Sequence, residues 1–240
     1  MTPPIEAIVV GVPAHDEEKT IDACLTSLLT ASAYVDVPVR VVVAADACSD
    51  RTREIAQGAV EGGSLRIDVI TTGHRSAGAA RAAGVDAGLR SVNAPSSRVW
   101  VATTDADTVV DPSWLAVHLA WAHAGIDAVA GLVDVAWQVG DDDLAGRYAS
   151  SIEGGGTAQG HGHVHGANLG LRAEWWYRVG GCGTAASGED RELWDRLRRA
   201  GARILGVDDL RVTTSARRVG RAPAGFAGYL RALLAEEGVA

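Results

Sequence analysis

Short β-branched runs alternate with longer stretches of helical period through the first half of the chain. No other feature limits the fold as strongly. Ile5–Val10, Val39–Val43 and Val99–Ala102 are apolar almost throughout, and Leu65–Ile70, interrupted by Arg66 and Asp68, is the fourth such candidate strand. That pattern belongs to strands covered on both faces. Between them, Glu17–Thr30 sets Ile21, Cys24, Leu25, Leu28 and Leu29 at helical spacing, and Ser49–Ala59 and Ser76–Leu89 predict two more helices. Pro112–Ala124 opens with proline in a first-turn position, where its missing N–H costs nothing. Repeated strand–helix units of this length imply an α/β fold with a mostly parallel, Rossmann-like sheet and right-handed crossovers. At 240 residues, the chain is long enough to bury such a sheet without covalent staples.

The second half is less regular. Ala128–Val135 predicts a strand, Asp141–Glu153 a helix, Gly154–Gly166 a glycine-rich loop and Ala167–Leu171 another strand. Gly188–Ala200 predicts a helix with Leu193 and Leu197 on one face, and Thr213–Arg218 follows a further strand. Phe226, Tyr229, Leu230, Leu233 and Leu234 mark an amphipathic last helix, suited to packing on the domain or on a second copy in a homodimer.

Charge and composition exclude several classes. A formal net charge of −8 argues against binding a nucleic-acid backbone. Three scattered cysteines (Cys24, Cys48, Cys182) make neither a disulfide framework nor a zinc ribbon. No run of about 18 apolar residues offers a membrane span. The first residues lack the basic and apolar regions of a signal peptide, so a cytoplasmic location is expected.

In sheets of this kind, ligands bind beyond the carboxyl ends of the strands. Polar residues cluster there after each of the first four predicted strands: Pro13-Ala14-His15-Asp16-Glu17-Glu18, Asp46-Ala47-Cys48-Ser49-Asp50, Thr71–Arg75 and Thr104-Asp105-Ala106-Asp107. Turn chemistry and helix capping explain one or two such groups. They do not explain four in succession. Two carboxylates flanking Ala106 can converge on a hard divalent cation, which in turn bridges phosphate oxygens.

Three further segments complete a pattern: Ala80-Arg81-Ala82-Ala83-Gly84, Gly166-Ala167-Asn168-Leu169-Gly170-Leu171-Arg172, and Gly180-Gly181-Cys182 followed by Gly188-Glu189-Asp190. In their shared order and spacing, these segments and the strand ends resemble family 2 glycosyltransferases of the GT-A fold over nearly the whole chain. The resemblance implies one domain over residues 1–240. About 1–110 would be the nucleotide-binding half, about 111–222 a smaller, mixed acceptor-side region, and 223–240 the last helix. It implies a UDP-, GDP- or dTDP-sugar donor held by Pro13, Ala14 and Glu17 near the ribose, Asp46 at the base, and Arg75 and Arg81. Asp105 would face the ribose or metal, and Asp107 would ligate Mg²⁺ or Mn²⁺. Arg217 and Arg218 would neutralise the diphosphate, as guanidinium pairs with phosphate bidentately. Asp190 falls where inverting members keep their general base. His165, Gly166, Ala167, Asn168 and Glu189 would meet a hydroxyl-bearing acceptor: a small molecule, a lipid-linked precursor or a glycan end.

Two departures from the family pattern matter. Ala45 stands where many members carry a second aspartate beside Asp46, which leaves the base open. Glu192-Leu193-Trp194-Asp195-Arg196 replaces the Gln-x-x-Arg-Trp of processive synthases, so a non-processive transferase is expected. Two alternatives compete. If extended, His161, His163 and His165 present one face and suit a zinc-dependent hydrolase. A non-catalytic nucleotide-sugar binder would keep donor affinity without turnover.

Overall fold

A computed structural model describes residues 2–62, 65–153, 160–183, 188–218 and 225–235. The predicted strand–helix alternation is present as β1 (Ala7–Ala14), α1 (Ile21–Ser32), β2 (Val39–Asp46), α2 (Thr52–Gly62), β3 (Arg66–Thr72), α3 (Ala77–Arg90) and β4 (Val99–Thr103). The chain continues through β5 (Thr108–Val110), α4 (Trp114–His123), β6 (Ala128–Ala136), α5 (Asp142–Glu153), β7 (Leu169–Arg172), α6 (Ala173–Val179), α7 (Glu189–Arg199), β8 (Ile204–Ser215) and α8 (Phe226–Ala235). Residues 154–159 of the predicted glycine-rich loop and 236–240 beyond α8 lie outside the described residues.

All strands join one sheet in the order β3-β2-β1-β4-β7-β6-β8-β5. β1 pairs in parallel with β2 and β4, and β2 with β3, so four carboxyl ends point to one rim. β7 then runs antiparallel between β4 and β6, β6 pairs in parallel with β8, and β5 closes the far edge antiparallel to β8. The sheet is mostly parallel in its first half and mixed in its second, as expected.

Helices cover both faces. Ile21, Leu25 and Leu28 of α1, Ala56 of α2, and Trp114 and Leu115 of α4 share one apolar cluster with the sheet. Val85 and Leu89 of α3, Trp176 of α6, and Leu193 and Leu197 of α7 form the other. Each fully buried Leu, Val or Ile contributes about 1.5–3 kcal/mol, which makes these two layers the main source of stability. A third, smaller cluster joins Leu144 and Tyr148 of α5 to Leu230 and Leu233 of α8 over the end of β6.

Differences from the sequence reading are local. β5 has three residues, too few to show a period. The predicted strand from Ala167 begins two residues later, after a 3-10 turn over Gly166–Asn168. That turn is dictated from the core. Asn168 is fully buried: its side-chain amide donates to the carbonyls of Leu132 (2.8 Å) and Leu210 (2.9 Å) and accepts from Trp114 Nε1 (2.9 Å). These bonds hold a bulge where the β6–β8 register jumps between Gly131 and Leu132. Only glycine fits at 131, since a Cβ there would lie 2.3 Å from Asn168 Nδ2. His118 is a packing residue. It accepts from Trp100 Nε1 at 3.2 Å, and burial pushes its pKa down to about 3, so it stays neutral.

Candidate active site

The carboxyl rim of β1, β2 and β4 opens into a cavity of about 380 Å³, closed on the other side by the end of β8 and the start of α8. Pro13, Ala14, Glu17, Asp46, Arg75 and Asp105 line it, and so do Asp107 and Arg217. Asp46 and Asp107 therefore share one cleft. Backbone strain gathers on the same rim. Asp16 (φ 53°), Ala47 (φ 50°) and Arg75 (φ 52°) are the described non-glycine residues with positive φ, and all three follow strand ends. Such conformations cost roughly 1 kcal/mol or more each and persist where the surroundings enforce them.

Asp46 supplies one enforcement. Its carboxylate accepts from Thr72 Oγ1 (3.0 Å), His74 N–H (2.6 Å) and Ser76 N–H (3.0 Å). Burial alone would raise its pKa, but these bonds outweigh it and hold the pKa below the usual carboxylate range. Asp46 lines the cavity, and its oxygens at the same time clamp the loop that presents Arg75. Asp16 does similar work nearby, accepting from Ser49 N–H (2.6 Å) and Asp50 N–H (3.2 Å). Asp16, Cys48 and Asp50 bring three ligand-type atoms within 4.8 Å of one another. These groups fasten the loops after β1 and β2 to each other, with Cys48 donating to Ala14 O and Asp50 accepting from Glu18 N–H.

The turn between β4 and β5 carries the acidic pair. Asp105 meets Arg81 NH2 at 2.8 Å, and Arg81 NH1 meets Glu189 at 2.5 Å. Arg81 is only 3% exposed. It therefore ties the β4 turn to the start of α7 and does not reach a donor directly, contrary to expectation. Asp107 and Glu17 are bridged from above: Arg217 NH2 lies 2.9 Å from Asp107 and its NH1 2.6 Å from Glu17. Burial pushes the Asp107 pKa up, Arg217 pulls it back, and Asp105 and Glu17 raise it again, leaving it at about 6. Arg218 instead pairs with Asp141, away from the cavity lining.

Asp105 and Asp107 offer hard carboxylate oxygens at one turn, and a guanidinium already sits against Asp107. That donor set and that charge fit a hard divalent cation such as Mg²⁺ or Mn²⁺.

Asp190 stands in the first turn of α7. It accepts from Gly166 N–H (2.9 Å) and from Arg191 N–H (2.7 Å). Gly166 rests on Arg81, where a Cβ would come within 2.5 Å of the guanidinium carbon. Thus Asp105, Arg81, Glu189, Gly166 and Asp190 form one connected network. Ala167, Asn168 and Glu189 are buried within the fold. Asn168 in particular is fully buried with both amide atoms bonded inside the fold, so it does not reach an acceptor, which corrects that expectation.

The three histidines do not form a metal centre. His161 Nε2 lies 3.1 Å from Val207 O and its Nδ1 accepts from His163 N–H (3.2 Å), so both ring nitrogens are occupied. Among the described residues, no trio of histidine nitrogens comes within 4.8 Å. The rings instead stand in file, with centroids 5.7 Å and 6.3 Å apart, and His165 meets Phe226 edge-on at 5.6 Å. Burial, then His163 and Arg191, push the His165 pKa down to about 4, so it is neutral near pH 7. Phe226 lines the cavity, as do Ser76 and Thr214. Sequence reading assigned Phe226 to a helix face and Ser76 to a helix start, and only the fold turns them toward the cleft.

Residues 3–236 match the family model described as Glycosyltransferase like family 2. A search of curated proteins by sequence gives no match. Among solved structures, the mannosyltransferase PcManGT from Pyrobaculum calidifontis, in complex with GDP-Man and Mn²⁺, is similar with a TM-score of 0.64 at 21% identity. The match covers 92% of this chain and 59% of that one. S. aureus TarS 1–349 in complex with UDP-GlcNAc has a TM-score of 0.64 at 16% identity, covering 97% of this chain and 66% of that one. Glucosyl-3-phosphoglycerate synthase from Mycobacterium tuberculosis, in complex with Mg²⁺ and UDP, has a TM-score of 0.57 at 18% identity, covering 96% and 79%. The chain thus spans about 60% of the mannosyltransferase and about two thirds of that TarS chain. At these identities the likeness is one of fold.

Proposed function

This chain belongs to glycosyltransferase like family 2, and on that premise we propose that it moves a sugar from a nucleotide-sugar donor to an acceptor hydroxyl, non-processively, with inversion. That assignment displaces the zinc-hydrolase alternative, whose histidines, among the described residues, bring no three ligand nitrogens together. One observation carries the reading: Glu17, Asp105, Asp107 and Arg217 converge in the same cleft as the loop that Asp46 holds in place.

The roles follow from charge and position. Pro13 and Ala14 form the floor at the end of β1, against which a nucleoside lies. Arg75, exposed on its clamped loop, and Arg217 offer cationic donors to a diphosphate. Asp190 takes the proton of the acceptor hydroxyl as it attacks, and the backbone N–H groups of Gly166 and Arg191 fix the carboxylate's direction. Arg81 keeps Asp105 and Glu189 in register, so the donor side and the base side are held as one unit. A hard divalent cation held by Asp105 and Asp107 would supply charge neutralisation for the departing diphosphate. His165 and Phe226 border the site on the acceptor side. No described helix is long and apolar enough to cross a membrane.

The donor class draws support from the GDP-Man, UDP-GlcNAc and UDP complexes of the similar structures. A thermal-shift panel of UDP, GDP and dTDP, each with and without Mn²⁺, tests the reading. One nucleotide is expected to raise the midpoint in a Mn²⁺-dependent manner. At a hundred times Kd the gain is about 2.7 kcal/mol, or roughly 5–10 °C for a chain of this size. If no nucleotide shifts the midpoint under either condition, the proposal falls.

A further inference from the structure

Arg217 lies where a donor-binding cleft of this kind requires a cation. Glu17 and Asp107 are 8% and 6% exposed at the side chain, so each needs a counter-charge close by. They come from separate strand ends, and the guanidinium that spans them comes from a third, beyond β8. On the far side of the acidic turn, Arg81 already serves Asp105 and Glu189. Arg217 is therefore the counter-ion that the structure gives to the Glu17–Asp107 pair.

The two arginines differ in freedom. Arg81 is locked beneath Gly166 at 3% exposure, whereas the Arg217 side chain is 34% exposed and extends past the last paired residues of β8. A divalent cation bound through Asp107 competes for the same carboxylate oxygen and the same electrostatic well. Both charges cannot sit there at full strength, because like charges at such separations repel strongly where water is scarce.

We infer that Arg217 is an exchangeable internal cation. It neutralises Glu17 and Asp107 in the metal-free protein, leaves Asp107 when a divalent cation binds, and then pairs its guanidinium with the donor diphosphate. The exchange links two binding events. Entry of the metal frees the arginine, and a diphosphate that captures the freed arginine favours the metal in return. This inference rests on the metal-using transferase reading above.

Titration of the full-length protein with Mn²⁺ alone, by calorimetry or by electron paramagnetic resonance of free Mn²⁺, tests it. Arg217→Gln removes the competitor and is expected to bind Mn²⁺ about tenfold more tightly than the unaltered protein, while binding the nucleoside diphosphate in the presence of Mn²⁺ about tenfold more weakly. Arg217→Lys keeps the charge but not the two-sided bridge, and its Mn²⁺ affinity is expected between the two. Thermal unfolding of each variant shows that the fold persists. Equal or weaker Mn²⁺ binding by Arg217→Gln, with Mn²⁺-dependent nucleotide binding intact in the unaltered protein, overturns the exchange alone. If the unaltered protein binds neither Mn²⁺ nor any nucleoside diphosphate, the transferase reading and the exchange fall together.

Discussion

Asp190→Asn is expected to lower sugar transfer by roughly 10²–10⁴-fold while leaving donor binding nearly unchanged. That loss corresponds to about 2.7–5.5 kcal/mol of transition-state stabilisation. The separation of the two effects follows from the geometry. Asp190 touches Gly166 and Arg191 through backbone N–H groups and takes no part in lining the donor cavity. Asparagine keeps the shape and one accepting oxygen, so the turn at Gly166 survives with the loss of about one hydrogen bond, of order 1 kcal/mol. It cannot take up the hydroxyl proton. The measurement is a pair of values: kcat for transfer, and Kd for the nucleotide with Mn²⁺. A variant with unchanged kcat removes Asp190 from the reaction. One with kcat and donor affinity falling together makes it a structural residue of the α7 start.

Asp107→Asn is expected to abolish Mn²⁺-dependent nucleotide binding and to reduce turnover by at least about 10³-fold, because electrostatic stabilisation of the leaving group is among the largest catalytic terms. The fold responds in the opposite direction. The folded protein holds the Asp107 proton up to about pH 6, whereas its ordinary value is 3.8. Unfolding therefore releases a proton between these limits, and the stability from this group falls as pH rises through that window. Above it, the ionised carboxyl is a net cost, of order 1–3 kcal/mol. Asparagine removes that cost. The thermal midpoint of the metal-free variant is expected above that of the unaltered protein at pH 7.5, and close to it near pH 4. A lower midpoint at pH 7.5 would mean that the bond to Arg217 outweighs the burial of Asp107.

These two residues were legible in the sequence for different reasons. Asp107 follows an uninterrupted apolar strand, and a carboxylate just beyond such a strand must lie on the rim. Asp190 is an acid in the first turn of a helix, a place that acids occupy for electrostatic reasons alone. Only the resemblance to a known family separates it from a capping residue. Arg81 lies where local sequence stops deciding. Its chain position suggested a donor contact, yet helix α3 turns it inward, where two carboxylates hold it. Asn168 was misread in the same way, since nothing local distinguishes an amide that meets a ligand from one that pins a bulge. The histidine triplet shows the same limit: alternation does set the three rings in file on one face, but it cannot say what their nitrogens bond. Here the backbone N–H of His163 and the carbonyl of Val207 occupy His161 instead.

From its sequence alone, this protein's first parallel strands, their covering helices and the acidic rim could be derived. The reason is that apolar periodicity and strand-end chemistry are local properties, repeated several times along the chain. The partners of each charge belonged to the tertiary structure. Arg217 meets Glu17 across 200 residues of chain and Arg81 meets Glu189 across 108. Which guanidinium is locked and which can move depends on how deeply the packing buries it, and burial at such distances along the chain is decided only when the sheet closes.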